Sequence, residues 1–329
     1  MKWTTLFRSS KLALCLISLS LVGGLLCTVP AQAYDLPGVN LGFTSFVDGG
    51  PPAGPGFYYQ QYHTYFTSDE FKDSDGDSAL PSFADEDIDL YIMLFQGIYQ
   101  SNTEIPLIKG KWGLDVIVPF VYTDISYGTD NPAFPQDNAG GFGDLLVGPF
   151  IQWDPIMGKS GPIMLNRIEF QLIFPTGKYN SDRELNPGSN FFSFNPYWAT
   201  TLFLMPKWTL TWRLHYLWNA ENNDPNRGFV DADDSQAGQA IHVNFASAYE
   251  VLEKRLRLGV NGYYLKQITD TKVDGDDVSG RKEQVLAIGP GAVYHFSQNN
   301  HLFFNAYFET MVENRPEGYR FNLRWTHHF

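Results

Sequence analysis

Apolar and polar residues alternate with a period of two along much of the chain. Trp208, Leu210, Trp212, Leu214, Tyr216 and Trp218 share one parity, while Thr209, Thr211, Arg213, His215 and Asn219 take the other. Ile241, Val243, Phe245, Ser247, Tyr249 and Val251 stand in the same way against His242, Asn244 and Glu250. Phe321, Leu323 and Trp325 do so against Asn322, Arg324 and Thr326. Alternation at ~180° per residue describes a strand lying between two unlike environments. Twelve strands are predicted, near 57–66, 88–99, 112–124, 144–153, 163–174, 191–204, 208–219, 240–252, 256–268, 283–296, 301–312 and 318–329. Strands of soluble sheets usually stop near five or six residues. Ten or so residues, tilted by ~45°, cross a bilayer core.

The connections between these strands alternate in kind. Met205-Pro206-Lys207, Glu253-Lys254-Arg255 and Ser297–Asn300 are tight, and Asp154–Pro162 is short, whereas 67–87, 125–143, 175–190, 220–239 and 269–282 are long and polar. A soluble sandwich has no reason to sort loop length by end; a membrane barrel with short periplasmic turns and long outer loops does. Charge follows the same division, since the five long loops hold 21 acids against 7 bases. Trp112, Trp153 and Trp208 stand by turns and Trp218 by a long loop, where an amphipathic indole meets the headgroups. The prediction is therefore an all-β, transmembrane, antiparallel up-and-down β-barrel of 12 strands in the outer membrane of a Gram-negative bacterium. Outer-membrane lipid and lipopolysaccharide become its expected partners. Phe329, in register with Phe321, Leu323 and Trp325, resembles the terminal aromatic signal read by the outer-membrane assembly machinery.

Composition adds exclusions. With 16% aromatic and 18% charged residues the chain is not disordered, and a net charge of −13 argues against a nucleic-acid partner. A mean hydropathy of −0.23 excludes a bundle of membrane helices but not a barrel, whose strands average out. Lys2, Arg8 and Lys11, an apolar run from Leu12 to Cys27, and Ala31-Gln32-Ala33 form a secretory signal over residues 1–33, cut before Tyr34. Leu26 stands before Cys27 where a lipoprotein would carry a small residue. Both cysteines, Cys15 and Cys27, leave with the signal, so no disulfide supports the mature chain. The proline-rich segment 34–56 is expected either to fold back as a lumenal plug or to form a loose periplasmic tail. The barrel itself is assigned to 57–329.

Several stretches carry a family resemblance. They are Pro52–Tyr59, Gly141-Phe-Gly-Asp-Leu-Leu-Val-Gly-Pro149, Pro175-Thr-Gly-Lys-Tyr179, Asn186-Pro-Gly-Ser-Asn190, Asn195-Pro-Tyr197, Leu258–Tyr264, Ile288-Gly-Pro-Gly291 and Asn314-Arg-Pro-Glu-Gly318. In this order and spacing, from about Pro51 to the end, the chain resembles the MetA-pathway-of-phenol-degradation family of outer-membrane proteins. The resemblance implies an outer-membrane barrel that helps hydrophobic or aromatic compounds enter cells that degrade them.

A barrel wall sends one parity to lipid and the other to the lumen. Charged side chains are forced inward, because Arg or Lys facing mid-membrane lipid costs ~2–4 kcal/mol. The expected polar lumen set is Asp89, Asp115, Arg167, Glu169, Arg213, His215, His242, Glu250, Arg257, Glu309 and Arg324, with Gln171, Asn244 and Asn261 beside them. It makes either a wet pathway whose charges select solutes or a plug of Arg/Glu ladders. Tyr91, Met93, Phe95, Phe150, Tyr197, Tyr263 and Leu265 carry the parity assigned inward. They would line a site for a flat hydrophobic ligand or simply fill space.

The chemistry of catalysis is thinly represented. There is no G-x-S-x-G and no H-E-x-x-H, and the seven histidines do not fall at helical metal spacing. His242, Asn244 and Glu250 share a face, but Ser247 points the other way. Asp73-Ser-Asp-Gly-Asp77 has calcium-like oxygen density, yet Ala84 stands where an EF-hand glutamate would be. No metal or cofactor is expected, and a transporter or porin is preferred to a lipid-modifying enzyme or a structural barrel.

Overall fold

The computed structural model describes residues 35–80, 85–128, 139–229 and 231–329; the expected signal peptide 1–33 and its expected cut before Tyr34 lie outside them. Twelve antiparallel strands form a closed barrel. They are β1 (Gly56–Lys72), β2 (Asp87–Ile105), β3 (Gly110–Ser126), β4 (Ala139–Phe142 and Leu145–Gln152) and β5 (Gly161–Glu169 and Leu172–Phe174). Then come β6 (Ser193–Phe194 and Tyr197–Met205), β7 (Trp208–Asn219), β8 (Ala240–Leu252), β9 (Leu256–Gln267), β10 (Gln284–His295), β11 (Asn300–Glu313) and β12 (Arg315–His328). Each pairs with the next, and β12 returns to β1 from Tyr58↔His328 to Lys72↔Arg315, which leaves no free edge. Closure pairs most ladder groups strand to strand within the wall, as a lipid solvent requires.

The observed strands match the predicted ones closely. Two strands run six residues beyond their predicted boundaries, β2 as far as Ile105 at one end and β1 at the outer end, where Thr67–Lys72 keep pairing with β12. Here β11 and β12 meet in a turn centred on Asn314, whose φ of 55° suits an asparagine's tolerance of left-handed backbone. Above the mouth, Ser235–Gln236, Thr271–Val273 and Asp276–Val278 form a small three-stranded sheet out of two long loops.

The outer surface is the apolar parity. Trp208, Leu214, Tyr216 and Trp218 of β7, Ile241 and Tyr249 of β8, and Phe321, Leu323 and Trp325 of β12 are all exposed, in the pattern a lipid belt needs. No helix among the described residues is long and apolar enough to cross a membrane, and the crossing is made by strands.

Residues 35–55 occupy the lumen. Asp35 is held at the outer end by Thr271 Oγ1 (2.9 Å) and by Arg281 (2.6 Å), and Leu36 N–H donates to Glu283 (3.2 Å). At mid-height Gly42 N–H donates to Asn244 (2.7 Å), and the Gly42 carbonyl accepts from Tyr307 (2.8 Å) and Asn322 (2.5 Å). Towards the periplasmic end Gly49 N–H reaches Thr201 Oγ1 (2.9 Å), and its carbonyl accepts from Gln152 (3.1 Å). A non-regular segment in a lumen must have its backbone groups met by wall side chains, and these amides and hydroxyls meet them. Its apolar side chains share in the buried clusters: Leu36 and Leu41 pack with Tyr263, Leu265 and Tyr307, Phe43 with Tyr62, Leu94 and Ile173, and Phe46 with Val293 and Phe303.

Candidate functional site

Below the plug a cavity of about 800 Å³ opens between the segment and the wall, lined in part by Tyr58, Gln96, Arg167, Tyr197, Phe203 and Arg257. At its inner end Asp48 of the plug pairs with Arg213 of β7 and, at 3.3 Å, with Arg324 of β12. The Arg213 guanidinium lies 4.4 Å over the Tyr197 ring, and that of Arg324 lies 3.8 Å over Phe303 and 3.2 Å from Tyr62 Oη. Such stacking suits the planar, weakly hydrated arginine head.

A second buried cluster lies beside it. Arg167 pairs with Glu169, Tyr197 Oη donates to the same carboxylate at 2.5 Å, and Arg167 lies 3.6 Å over Phe150. Phe150 in turn covers Gly113, where any side chain would meet the ring. Gln96 donates to Asp115 at 2.6 Å. Farther up, His215 and His242 stack at 4.0 Å, and His242 Nε2 meets Asn195 at 3.0 Å. Glu309 accepts from Tyr263 (2.6 Å) and from Gly318 N–H (3.1 Å), and Arg257 pairs with Glu250 (2.8 Å) near the periplasmic mouth.

So Asp115, Arg167, Glu169, Arg213, His215, His242, Glu250, Arg257, Glu309 and Arg324 all turn inward, as do Phe150, Tyr197, Tyr263, Leu265, Gln171, Asn244 and Asn261. Asp89, Tyr91, Met93 and Phe95 do not. On β2 the inward parity is Ile88, Leu94, Gln96, Ile98 and Gln100, and Phe95 is 37% exposed on the outside. Two physical facts reverse the frame of that strand. Asp89 stands at the outer end of β2, where it accepts a hydrogen bond from Tyr65 Oη (2.6 Å) and pays no lipid penalty. The lumen beside β2 is itself apolar, because Leu94 packs against Phe43 of the plug. The lumen is filled chiefly by chain from 35–55 and not by charge ladders alone, which strand parity by itself does not reveal.

The wall is irregular at one place. Between β4 and β5 the ladder stops at Val147↔Leu172 and resumes at Phe150↔Glu169. Between β5 and β6 it stops at Leu172↔Phe194 and resumes at Tyr197↔Glu169, and between β6 and β7 at Trp218↔Phe194 and Tyr197↔His215. Gly148-Pro149, Phe170-Gln171 and Asn195-Pro196 thus line up across three strands. Pro149 and Pro196 have no N–H to donate, so each leaves a ladder bond missing on one side of its strand. Single bonds survive, from Phe170 N–H to Pro149 (2.9 Å) and from Asn195 N–H to Gln171 (2.8 Å). Phe170 is exposed outside this row, and Gln171 and Asn195 are buried inside it.

The model of the MetA-pathway of phenol degradation family matches residues 68–325. The chain belongs to this family. Among solved structures it is similar to an outer membrane channel from Pseudomonas putida F1, at 18% identity and a TM-score of 0.70, over 84% of this chain and 96% of that one. The translocator domain of the autotransporter NalP from Neisseria meningitidis follows at 8% identity and 0.48, over 84% and 89%. The β domain of the Bordetella autotransporter BrkA stands at 10% and 0.45, over 84% and 100%. No curated protein matches the chain. The first of these likenesses bears out the fold, a closed antiparallel β-barrel.

Three of the stretches that carry the family resemblance meet at one point above the irregular wall. Asp144 accepts from Gly177 N–H (2.9 Å), Ser189 N–H (2.7 Å) and Ser189 Oγ (2.6 Å). Gly177 and Gly188 approach so closely that a Cβ on either would lie 2.8 Å or less from the other's backbone. In this member of the family, then, Gly143-Asp144, Gly177 and Gly188-Ser189 form a staple between two outer loops.

Proposed function

We propose that this barrel takes up small hydrophobic, aromatic, phenol-like compounds and is a channel rather than an enzyme. The observation that carries the reading is a lumen filled from Asp35 to Gly49, beside a wall interrupted at mid-height. A water-filled porin needs an unbroken polar path, whereas an apolar solute can move between lumen and lipid wherever the wall loosens. Aromatic side chains on both sides of the β4–β7 interruption and the cavity beneath it supply a path of that kind. Residues 1–33 serve as the export signal, Phe329 engages the assembly machinery, and the acidic outer loops face lipopolysaccharide.

The test is uptake by vesicles with a lipopolysaccharide outer leaflet, with protein-free vesicles as control because aromatics cross bare lipid. Alkyl-aromatic probes should enter faster than in the control while a small sugar does not. Sugar flux with no aromatic advantage would leave an ordinary porin.

A further inference from the structure

We infer that the Arg213–Arg324 pair is a binding site for the carboxylate of a small aromatic acid, and that Asp48 of the plug is its internal stand-in. The inference rests on the channel reading above and adds a ligand class to it. Arg213 and Arg324 rise from β7 and β12, nearly opposite walls, and converge on one carboxylate. Among the described residues no other carboxylate lies within ion-pair distance of either. The Nε donor of each is buried with no hydrogen-bond partner among the described residues, so the clamp has capacity that Asp48 leaves unused. Guanidinium forks match carboxylates in a bidentate way, and two of them fix a planar anion.

Around the clamp the walls are aromatic: Tyr197 under Arg213, Phe303 under Arg324, and Tyr62 with its hydroxyl on Arg324. The clamp opens on the periplasmic-side cavity, whose volume of about 800 Å³ falls within the ~300–1,000 Å³ of small-molecule sites. A benzoate-like ligand would put its carboxylate where Asp48 sits and its ring against those walls. Asp48 is tethered, and a tethered group competes at an effective concentration on the order of mM. A carboxylate with no ring has no extra contacts with which to displace it; an aromatic one does. Displacement frees Asp48 and loosens the segment that fills the lumen, so the acid releases the plug that excludes it.

The experiment uses the full mature chain folded in detergent, with benzoate, benzyl alcohol and acetate as probes. Calorimetry should show benzoate binding while benzyl alcohol and acetate bind at least about tenfold more weakly. Asp48→Asn removes the internal competitor at constant size, so it should tighten benzoate about tenfold, as the competent fraction of the site rises. In the unmodified chain benzoate, and neither control, should expose Leu41, Phe43 and Phe46 to thermolysin. The last measurement needs no variant, so misfolding cannot obscure it. Equal binding of benzoate and benzyl alcohol, no gain in Asp48→Asn, or no change in cleavage would overturn the inference. Flux of a neutral alkyl-aromatic into the vesicles separates the two failures: if it persists the channel reading stands without the clamp, and if it is absent both fall.

Discussion

The wall from β8 to β12 and the wall from β4 to β6 obey different rules. Along β8–β9 the register runs from Ala240↔Gln267 to Glu250↔Arg257 without a missing pair, and β9–β10 is equally regular. Each of β4, β5 and β6 is split in two. Both walls are apolar outside, so lipid does not explain the difference. Proline does in part: Pro149 and Pro196 stand inside strands on the irregular side. Pro290 on the other side acts alike on its own strand: it faces Val260 in the β9–β10 ladder, while the β10–β11 pairing passes from Ile288↔Phe308 to Gly291↔Asn305. What distinguishes the irregular side is a whole row, in which two prolines on separate strands coincide with Gly148 and Phe170-Gln171. The lesson is that one interrupted strand is absorbed by its neighbours, whereas three in line weaken the wall at one height.

The largest effect that would break this comparison is removal of the plug. Deleting residues 35–50 takes the filling from a lumen that both walls share, and Arg213 and Arg324 lose Asp48. We expect single-channel conductance to appear where the full chain shows none, with a preference for anions. Equal conductance in the two proteins would mean that the plug does not seal the lumen.

The next test concerns the staple above the irregular wall. Asp144→Ala removes the buried carboxylate that accepts from Gly177 N–H, Ser189 N–H and Ser189 Oγ, and each bond to a charged group contributes ~1.5–3 kcal/mol. The expected outcome is faster proteolysis of the loops near Gly177 and Ser189 and a lower melting temperature. The β8–β12 amides should keep their exchange protection. Uniform loss of protection around the barrel would contradict the division into two walls.

A smaller, local effect is set by pH. Glu86, in the outer connection before β2, is buried with neither carboxylate oxygen hydrogen-bonded among the described residues. Burial first, then the nearby Asp69 and Glu70, push its pKa up to about 8. A raised carboxyl pKa favours the fold while the group is protonated, so this contribution is full below the ordinary value near 4.5 and is lost as pH rises through about 8. Hydrogen exchange at the outer end of β2, corrected for intrinsic rates, should loosen between pH 5 and 9, and Glu86→Gln should flatten that dependence.

The smallest effect is expected of Asp89→Asn. Asp89 faces outward at a strand end, so the substitution should leave uptake of aromatic probes unchanged while Arg213→Ala alters it. A transport defect in Asp89→Asn equal to that of Arg213→Ala would restore a lumenal role for this residue.

Alternation, loop asymmetry and strand length were enough to derive a twelve-stranded membrane barrel and to send Arg213, His242, Glu309 and Arg324 inward. The reason is that a lipid solvent penalises a charge at mid-membrane on every strand independently, so each strand declares its own orientation. Where that penalty was absent, as at Asp89 on the rim, the sequence pointed the wrong way. The path of residues 35–55, the clamp on Asp48 and the alignment of Pro149 with Pro196 were decided only in three dimensions. They depend on contacts between residues as much as 280 positions apart, such as Gly42 and Asn322. A period of two reports which side of the wall a residue faces, and not what fills the space behind it.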